Sequence, residues 1–257
     1  MAIPLQREPE IEYPASDGKP MAESPIHLKA MLHLIGALDD HFADVPDIYV
    51  SGNMFIYFEK RKPPIAPDLF VVRGIPKEDR DVYLLWQEGK APCFVLEVTS
   101  KSTREEDEIS KKSRYEQLGV EEYFLFDPRA EYLRPRFQGF LLTAGAFQPL
   151  RLASDGSLTS RTLGISFRPQ GKFLRMTDVK TGQLLLTYEE WKAKAKAAEK
   201  QAKAAEEQAK VAEERAEVES VARRSAEGRA EAAEKRAEEA EARARALAEE
   251  LERLRRR

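Results

Sequence analysis

The sequence predicts an α/β fold in which helices flank a mixed central sheet, followed by a long C-terminal α-helix. Uninterrupted apolar runs at residues 69–72, 93–96 and 123–126 are typical of strands buried on both faces. Apolar residues at helical spacing precede and separate these runs, so helices should cover the sheet. Beyond Tyr188, alanine and charged residues dominate and proline is absent, which predicts one continuous helix.

Composition divides the chain into three parts. Residues 1–24 contain four prolines and mixed charges, which predicts an arm rather than a core element. Residues 25–188 mix aromatic, β-branched and glycine residues, and this length is ample for one hydrophobic core. Residues 189–257 are rich in alanine, glutamate, lysine and arginine, which is typical of a long helix or a coiled coil.

The domain begins with a predicted helix and then a strand region. Ser24 and Pro25 suit the N-cap and first turn of a helix that continues to about His41. Residues 47–58 are largely β-branched and aromatic, with an interruption at residues 51–53, and therefore predict strands.

A second helix is predicted from about Arg104 to Leu118. Thr103 suits its N-cap, and Gly119 suits its C-terminal end. After the strand at 123–126, shorter alternating stretches separated by turn residues predict hairpins or a β-meander. These stretches are 137–142, 146–151, 161–168, 173–178 and 183–187.

The C-terminal segment repeats every seven residues. Alanines recur at two positions, spaced alternately by four and three residues, as in a coiled-coil seam. One position comprises Ala198, Ala205, Ala212, Ala226, Ala233 and Ala240, and the other Ala202, Ala209, Ala216, Ala230, Ala237 and Ala244. A buried methyl contributes about 0.8 kcal/mol against about 1.5–3 kcal/mol for leucine, so pairing would be weak. Glu219 and Arg223 interrupt the seam, and both a coiled coil and a single charged helix fit this pattern.

Charge and cysteine content limit the functional classes. The formal net charge is −3 and the pI about 5.9, so any surface that contacts phosphate must be a local patch. The single cysteine, Cys93, excludes an internal disulfide and lies in an apolar run. The acidic N-terminal sequence is unlike a signal peptide, and no segment approaches the roughly 20 apolar residues of a membrane span. We therefore expect a cytoplasmic protein that does not contact membranes.

Two carboxylates lie at the ends of buried strands. Asp68 precedes one apolar run and Glu97 follows another, and both could bind one hard cation such as Mg²⁺. Asp107, Lys111 and Tyr115 follow at a spacing of four, so they share a face of the next helix. This face could point Lys111 towards the carboxylates.

The stretches APDLFVV and FVLEVTSKSTREEDEISKKSRYEQLGVEEYFLFDP resemble the Uma-two family of restriction endonucleases, within the PD-(D/E)XK nuclease superfamily. The resemblance covers roughly residues 20–188 and is strongest between Asp68 and Pro128. It implies a restriction-endonuclease-like core and metal-dependent hydrolysis of phosphodiester bonds in DNA.

The resemblance also implies roles for individual residues. Asp68 and Glu97 match the metal-binding acids, which would hold Mg²⁺, or Mn²⁺ as a substitute, with the carbonyl of Val98 as a further ligand. The superfamily lysine position holds Thr99, and the family pattern moves the lysine to Lys111. Making that lysine a neutral base near pH 7 would cost about 4 kcal/mol, so we expect it to act as a charged stabiliser.

The remaining charged residues allow either a functional or a purely structural interpretation. Glu59 and Glu23 are either extra metal ligands or solvated charges, and Asp107, Tyr115 and Lys101 could support the site. A group of basic residues could contact phosphate or form an ordinary solvated surface. This group comprises Lys60, Arg61, Lys62, Lys101, Arg104, Lys112 and Arg114. The histidines His27, His33 and His41 are interpreted as helix-face residues.

Two functions remain open from the sequence. The first is a Mg²⁺-dependent DNA endonuclease, favoured by Asp68, Glu97 and Lys111. The second is a catalytically weak or inactive nuclease-like interaction protein that assembles through its tail, favoured by Thr99 and the heptad repeat. Under either function a homodimer or higher oligomer could form through the core or through residues 189–257.

Overall fold

The computed structural model describes residues 13–16 and 24–255, with side chains up to residue 248. The predicted arm lies mostly outside the described residues, as does Glu23. The helices are α1 (Pro25–His41), α2 (Leu85–Glu88), a π-helical segment (Glu106–Lys111), α3 (Lys112–Leu118) and α4 (Tyr188–Arg255). The strands are β1 (Ile48–Ser51), β2 (Ile56–Tyr57), β3 (Leu69–Arg73), β4 (Tyr83–Leu84), β5 (Phe94–Val98), β6 (Glu122–Phe126), β7 (Phe137–Thr143), β8 (Ala146–Pro149), β9 (Leu158–Ser160), β10 (Ile165–Gln170) and β11 (Phe173–Asp178).

The central sheet has six strands in the order β1-β3-β5-β6-β7-β8. Strands β5 and β6 pair in parallel, whereas the other neighbours are antiparallel, so the sheet is mixed as predicted. The parallel pair requires a crossover, which the π-helical segment and α3 provide. Strands β9 to β11 form a separate antiparallel sheet.

Hydrophobic side chains fill both faces of the central sheet. On one face, alternate residues of β3, β5 and β6 pack against α1 and the β9–β11 sheet, with Phe94 stacked on Phe167. On the other face, Phe70, Val95 and Tyr123 pack with Tyr115 of α3. Burial on both faces explains why these strands read as continuous apolar runs.

Local signals predicted some element boundaries well and others poorly. Ser24 caps α1, since its side chain accepts a hydrogen bond from the His27 amide. Thr103 was expected to cap the second helix, but its hydroxyl accepts a hydrogen bond from the Ser100 amide instead, at 3.0 Å. The stretch 183–187 contributes only an isolated bridge at Leu184, and β9 was not predicted.

Helix α4 begins with a capping box in the sequence Thr187-Tyr188-Glu189-Glu190. The Thr187 hydroxyl accepts a hydrogen bond from the Glu190 amide, and the Glu190 carboxylate accepts one from the Thr187 amide. Arg175 of β11 also donates to both Glu190 oxygens, at 2.7 and 2.9 Å. The first turn of α4 is therefore held in place by the folded domain.

Contacts divide the chain into two compact units, Met1–Trp191 and Lys192–Arg257. In the second unit, every described side chain except Ser220 is exposed. Among the described residues, no helix combines the length and the apolar run that a membrane crossing requires.

The Glu190 contacts predict a pH-dependent contribution to stability. The Arg175 guanidinium and the Thr187 amide lower the pKa of Glu190 to about 2. Because the folded pKa lies below the unfolded one, the contribution is complete above about pH 4.5 and is lost as pH falls through about 2. In urea titrations, wild type should exceed Glu190→Gln in stability at pH 6, and the difference should shrink towards pH 2. A constant difference across this range would contradict the prediction.

Candidate active site

Asp68 and Glu97 lie opposite each other at the same end of the pair β3–β5. Leu69 pairs with Leu96 in this antiparallel ladder, so the next positions along it are Asp68 and Glu97. Directly opposed residues point to the same face of a sheet. The Asp68 amide donates a hydrogen bond to Glu97 Oε2 at 3.3 Å. Strand pairing thus brings together two carboxylates that are separated by 29 residues in the sequence.

The π-helical segment and α3 together form the crossover helix, which covers this face of the sheet. Asp107, Lys111 and Tyr115 lie on the side of this helix that packs against the sheet. In an α-helix a step of four residues overshoots one turn by about 40°. A π-helical turn holds more residues, so the step from Asp107 to Lys111 falls short of one turn. The following α-helical step to Tyr115 exceeds one turn and so offsets this shortfall in angle. The π-helical segment therefore keeps Asp107, Lys111 and Tyr115 on one face of the helix.

Glu97 is the most enclosed member of the cluster, with a fully buried side chain. Lys111 Nζ donates to its Oε2 at 3.0 Å, and the Tyr115 hydroxyl donates to its Oε1 at 2.6 Å. Burial raises the pKa of Glu97 well above its ordinary value, and Lys111 offsets part of this effect. The two bonds fix the orientation of the carboxylate.

Lys111 lies among several oxygen atoms. Its Nζ is 3.4 Å from Asp107 Oδ1 and also donates to the Ala66 carbonyl at 3.4 Å. Burial alone would lower the pKa of Lys111, but the Glu97 and Asp107 carboxylates raise it above its ordinary value. The two carboxylates therefore favour the protonated form of the amine.

Asp107 is a second buried carboxylate on the helix side of the cluster. Within the described residues, neither of its carboxylate oxygens has a hydrogen-bond partner, although Lys111 lies near Oδ1. Burial raises the pKa of Asp107 to about 6, and Lys111 partly opposes this shift. One lysine thus faces more than one buried carboxylate, which leaves this region short of positive charge.

His27 joins the cluster and was missed by the sequence analysis. It lies in the first turn of α1 and is 3 % exposed, and its Nε2 is 2.9 Å from Asp68 Oδ1. His27 lies on α1 as expected, but its contact with Asp68 was not predicted. No local pattern links His27 to Asp68, because the two residues are 41 positions apart in the sequence.

Val98 and Thr99 complete the end of β5. The Val98 amide donates to Asp68 Oδ2 at 2.7 Å, while metal binding by its carbonyl stays a prediction. Thr99 is buried and lies two residues beyond Glu97, on the same side of the strand. Its hydroxyl has no hydrogen-bond partner among the described residues. The nearby positive charge comes from the helix, since Lys111 Nζ lies 3.0 Å from Glu97 Oε2, and its role as the relocated lysine stays a prediction.

Other predicted residues make none of these cluster contacts in the described part of the chain. Glu59 and Lys101 are exposed in turns. Arg104 pairs with Glu108 at 2.8 Å, and the Lys112 ammonium packs 3.6 Å from the centre of the Phe140 ring.

The loop before β3 is held against the crossover helix beside the cluster. Arg114 donates to the Pro63 carbonyl at 2.6 Å and to the Pro64 carbonyl at 3.4 Å. Lys111 reaches Ala66 in the same loop. The exposed residues 60–62 begin this loop, so they lie close in the chain to the anchored segment.

The donor set suits a hard divalent cation. Asp68 and Glu97 offer carboxylate oxygens, and the Asp68 side chain is 15 % exposed at the edge of the cluster. Among the described residues, no three His, Cys, Asp or Glu side chains form a group that could hold a metal by themselves. Mg²⁺ commonly binds through one or two carboxylates and takes its other ligands from water and phosphate. Two carboxylates match the number of protein ligands that Mg²⁺ commonly takes, and Mg²⁺ binding at this site stays a prediction.

Gly52 allows the close approach of the backbone next to Asp68. A Cβ at this position would lie 2.1 Å from the Asp68 carbonyl oxygen and 2.6 Å from Ile35 Cδ1. We expect Gly52→Ala to displace Asp68 and to lower thermal stability. Gly36→Ala is the matched control, because a Cβ there meets nothing within 4 Å. Equal melting temperatures in the two variants would contradict this prediction.

A family model described as Uma2, "putative restriction endonuclease", matches residues 1–167. The chain belongs to the Uma2 family. The matched region includes the whole Asp68–Glu97–Lys111 cluster but stops before α4. The description of the Uma2 family supports a nuclease as the class of activity.

The comparison with solved structures found a similar chain from Anabaena variabilis ATCC 29413, described as "a putative nuclease belonging to DUF820". It is 14 % identical, with a TM-score of 0.42, over 58 % of this Uma2 chain and 81 % of its own. No curated protein matches the chain.

Proposed function

We propose that this protein is a Mg²⁺-dependent endonuclease that hydrolyses phosphodiester bonds of DNA. The observation that carries the proposal is the pairing of Asp68 and Glu97 on one sheet face, with Lys111 donating to Glu97. Membership of the Uma2 family supports the nuclease class, and the geometry supports the division of roles among these residues.

Asp68 and Glu97 would hold the cation, with Mn²⁺ as a substitute for Mg²⁺. When bound, the cation would acidify a water molecule and neutralise charge on the phosphate. His27 and the Val98 amide orient Asp68, while Tyr115 orients Glu97. Each carboxylate thereby keeps a fixed direction before substrate arrives, which lowers the cost of reorganisation during the reaction.

Lys111 acts as a charged group rather than as a base. Its raised pKa keeps the amine protonated, so it cannot accept a proton from water near pH 7. A fixed ammonium beside the carboxylates instead stabilises negative charge that develops on the phosphate oxygens. It also offsets the charge of two carboxylates, since its Nζ lies 3.0 Å from Glu97 and 3.4 Å from Asp107.

DNA contacts would come from a local basic patch at Lys60, Arg61 and Lys62. These side chains are exposed and lie in the loop that Arg114 and Lys111 hold at the cluster. Each phosphate contact releases bound counterions, so binding should weaken steeply as salt concentration rises. A patch of this kind also suits a chain whose net charge is −3.

The test is incubation of the full chain with supercoiled plasmid, single-stranded DNA and branched DNA in the presence of Mg²⁺ or Mn²⁺. Wild type should cleave at least one substrate, and chelation of the metal should stop cleavage. Asp68→Asn should be inactive because it removes one negative ligand while preserving the shape of the side chain.

The alternative is a nuclease-like interaction protein with weak or no catalysis. The burial of Thr99 at the superfamily lysine position and the fully exposed repeat of α4 favour this alternative. Absence of metal-dependent cleavage on all three DNA substrates would support the interaction protein and overturn the nuclease.

A further inference from the structure

The two flanks of the alanine seam in α4 carry different charges. The residue after each seam position of the Ala198 series is glutamate in six repeats, namely Glu199, Glu206, Glu213, Glu227, Glu234 and Glu241. The residue before each seam position of the Ala202 series is glutamine or arginine in six repeats, namely Gln201, Gln208, Arg215, Arg229, Arg236 and Arg243. These flanking positions face the partner helix in a coiled coil and select its orientation.

The repeat keeps its phase along the whole segment. Glu219 and Arg223 occupy seam positions, but the alanines before and after them stay in the same seven-residue register. They therefore form one polar layer rather than an insertion that would shift the seam. Leu247 continues the same seam and is 61 % exposed.

Some charged residues of α4 form ion pairs within their own helix, whereas Arg229 and Glu234 have no residue of opposite charge at helical spacing. Lys203 pairs with Glu199, and Arg245 pairs with Glu241, each at a spacing of four. The positions three and four residues from Arg229 hold only alanine and serine. The same positions around Glu234 hold only alanine and glutamate. No partner of opposite charge is thus within helical reach of Arg229 or Glu234.

We propose that residues 198–248 of α4 pair in parallel with the same segment of a second copy of this chain. In a parallel pair, each residue that precedes a seam position of the Ala202 series lies beside the residue five positions later in the partner helix. This rule joins Arg229 to Glu234 and Arg236 to Glu241, and places Gln201 and Gln208 beside glutamates. By symmetry every such contact occurs twice.

An antiparallel pair would be repulsive. In an antiparallel pair, equivalent flanking positions of the two helices meet. Glutamate would therefore face glutamate along one side of the dimer in any heptad register. Because the alanine seam supplies little apolar stabilisation, the charged flanks decide the orientation. The proposal concerns the tail alone and does not depend on the proposed nuclease activity.

Two full-length charge variants test the pairing. The acidic variant carries Arg229→Glu and Arg236→Glu, and the basic variant carries Glu234→Arg and Glu241→Arg. Each variant alone should dimerise at least about tenfold more weakly than wild type in sedimentation equilibrium, which corresponds to about 1.4 kcal/mol. An equimolar mixture should recover dimers, because every altered contact again joins opposite charges.

Orientation is tested by oxidising full-length Ala205→Cys. In a parallel dimer the two introduced thiols face each other and should form a covalent dimer. Wild type is the control, since its only cysteine, Cys93, is buried. A wild-type chain that stays monomeric at all measured concentrations would overturn the proposal. So would a dimer that the charge variants leave unchanged, or one in which Ala205→Cys fails to cross-link.

Discussion

Lys111→Met is expected to reduce the proposed metal-dependent DNA cleavage at least about hundredfold, the usual scale for loss of one preorganised charge-stabilising group. Methionine retains the apolar stem of the side chain but removes the ammonium that lies 3.0 Å from Glu97 and 3.4 Å from Asp107. Initial rates of plasmid nicking with Mg²⁺ at saturating DNA measure the effect, and circular dichroism checks that the fold is retained.

Lys112→Met is the matched control for this substitution. Lys112 is the next residue in the chain, but its ammonium packs on Phe140 rather than on the carboxylates. The control variant should keep most of its turnover, even if its DNA binding weakens slightly. Full activity in Lys111→Met, or equal losses in both variants, would remove Lys111 from the site.

Glu122→Ala is expected to lower the free energy of unfolding by about 3 kcal/mol or more. Glu122 is fully buried and accepts hydrogen bonds from the Ser160 and Thr162 hydroxyls and from the Arg161 amide, the last at 2.8 Å. Alanine would leave the buried Ser160 hydroxyl without this acceptor, at a cost of about 1–3 kcal/mol, and would also remove the acceptor of the partly buried bonds from Arg161 and Thr162. The contacts also join β6 to the β9–β10 region, so the loss should spread beyond one side chain.

Glu121→Ala is the control for this loss, since Glu121 is the adjacent residue and is exposed. Urea or thermal unfolding of both variants separates the buried acceptor from a general effect of removing negative charge. A difference of less than about 1 kcal/mol between the two variants would show that the donors find other partners.

Strands that are buried on both faces were predicted most directly. Their continuous apolar runs reflect an environment without water on either side, which applies to β3, β5 and β6. Short edge elements such as β9 were missed because three residues carry too little pattern. The sequence placed the second helix correctly but contained no signal for its π-helical segment, Glu106–Lys111.

The sequence predicted some residues of the candidate site and missed others. Asp68 and Glu97 stood out because a carboxylate at the end of an apolar strand is costly unless it has a partner. Spacing alone placed Asp107, Lys111 and Tyr115 on one helix face. His27 was not found, because its contact with Asp68 spans 41 residues and depends on how α1 packs.

By itself the sequence determined the α/β composition, the two strand-end carboxylates, the shared helix face and the heptad repeat of the tail. Each of these depends on periodicity or on the local cost of burying charge, and both are written in neighbouring residues. Only the tertiary structure decided that β3 and β5 pair so that Asp68 faces Glu97, and that Lys111 lies 3.0 Å from Glu97. Strand pairing and helix docking bring distant residues together, so no local pattern could specify those contacts in advance.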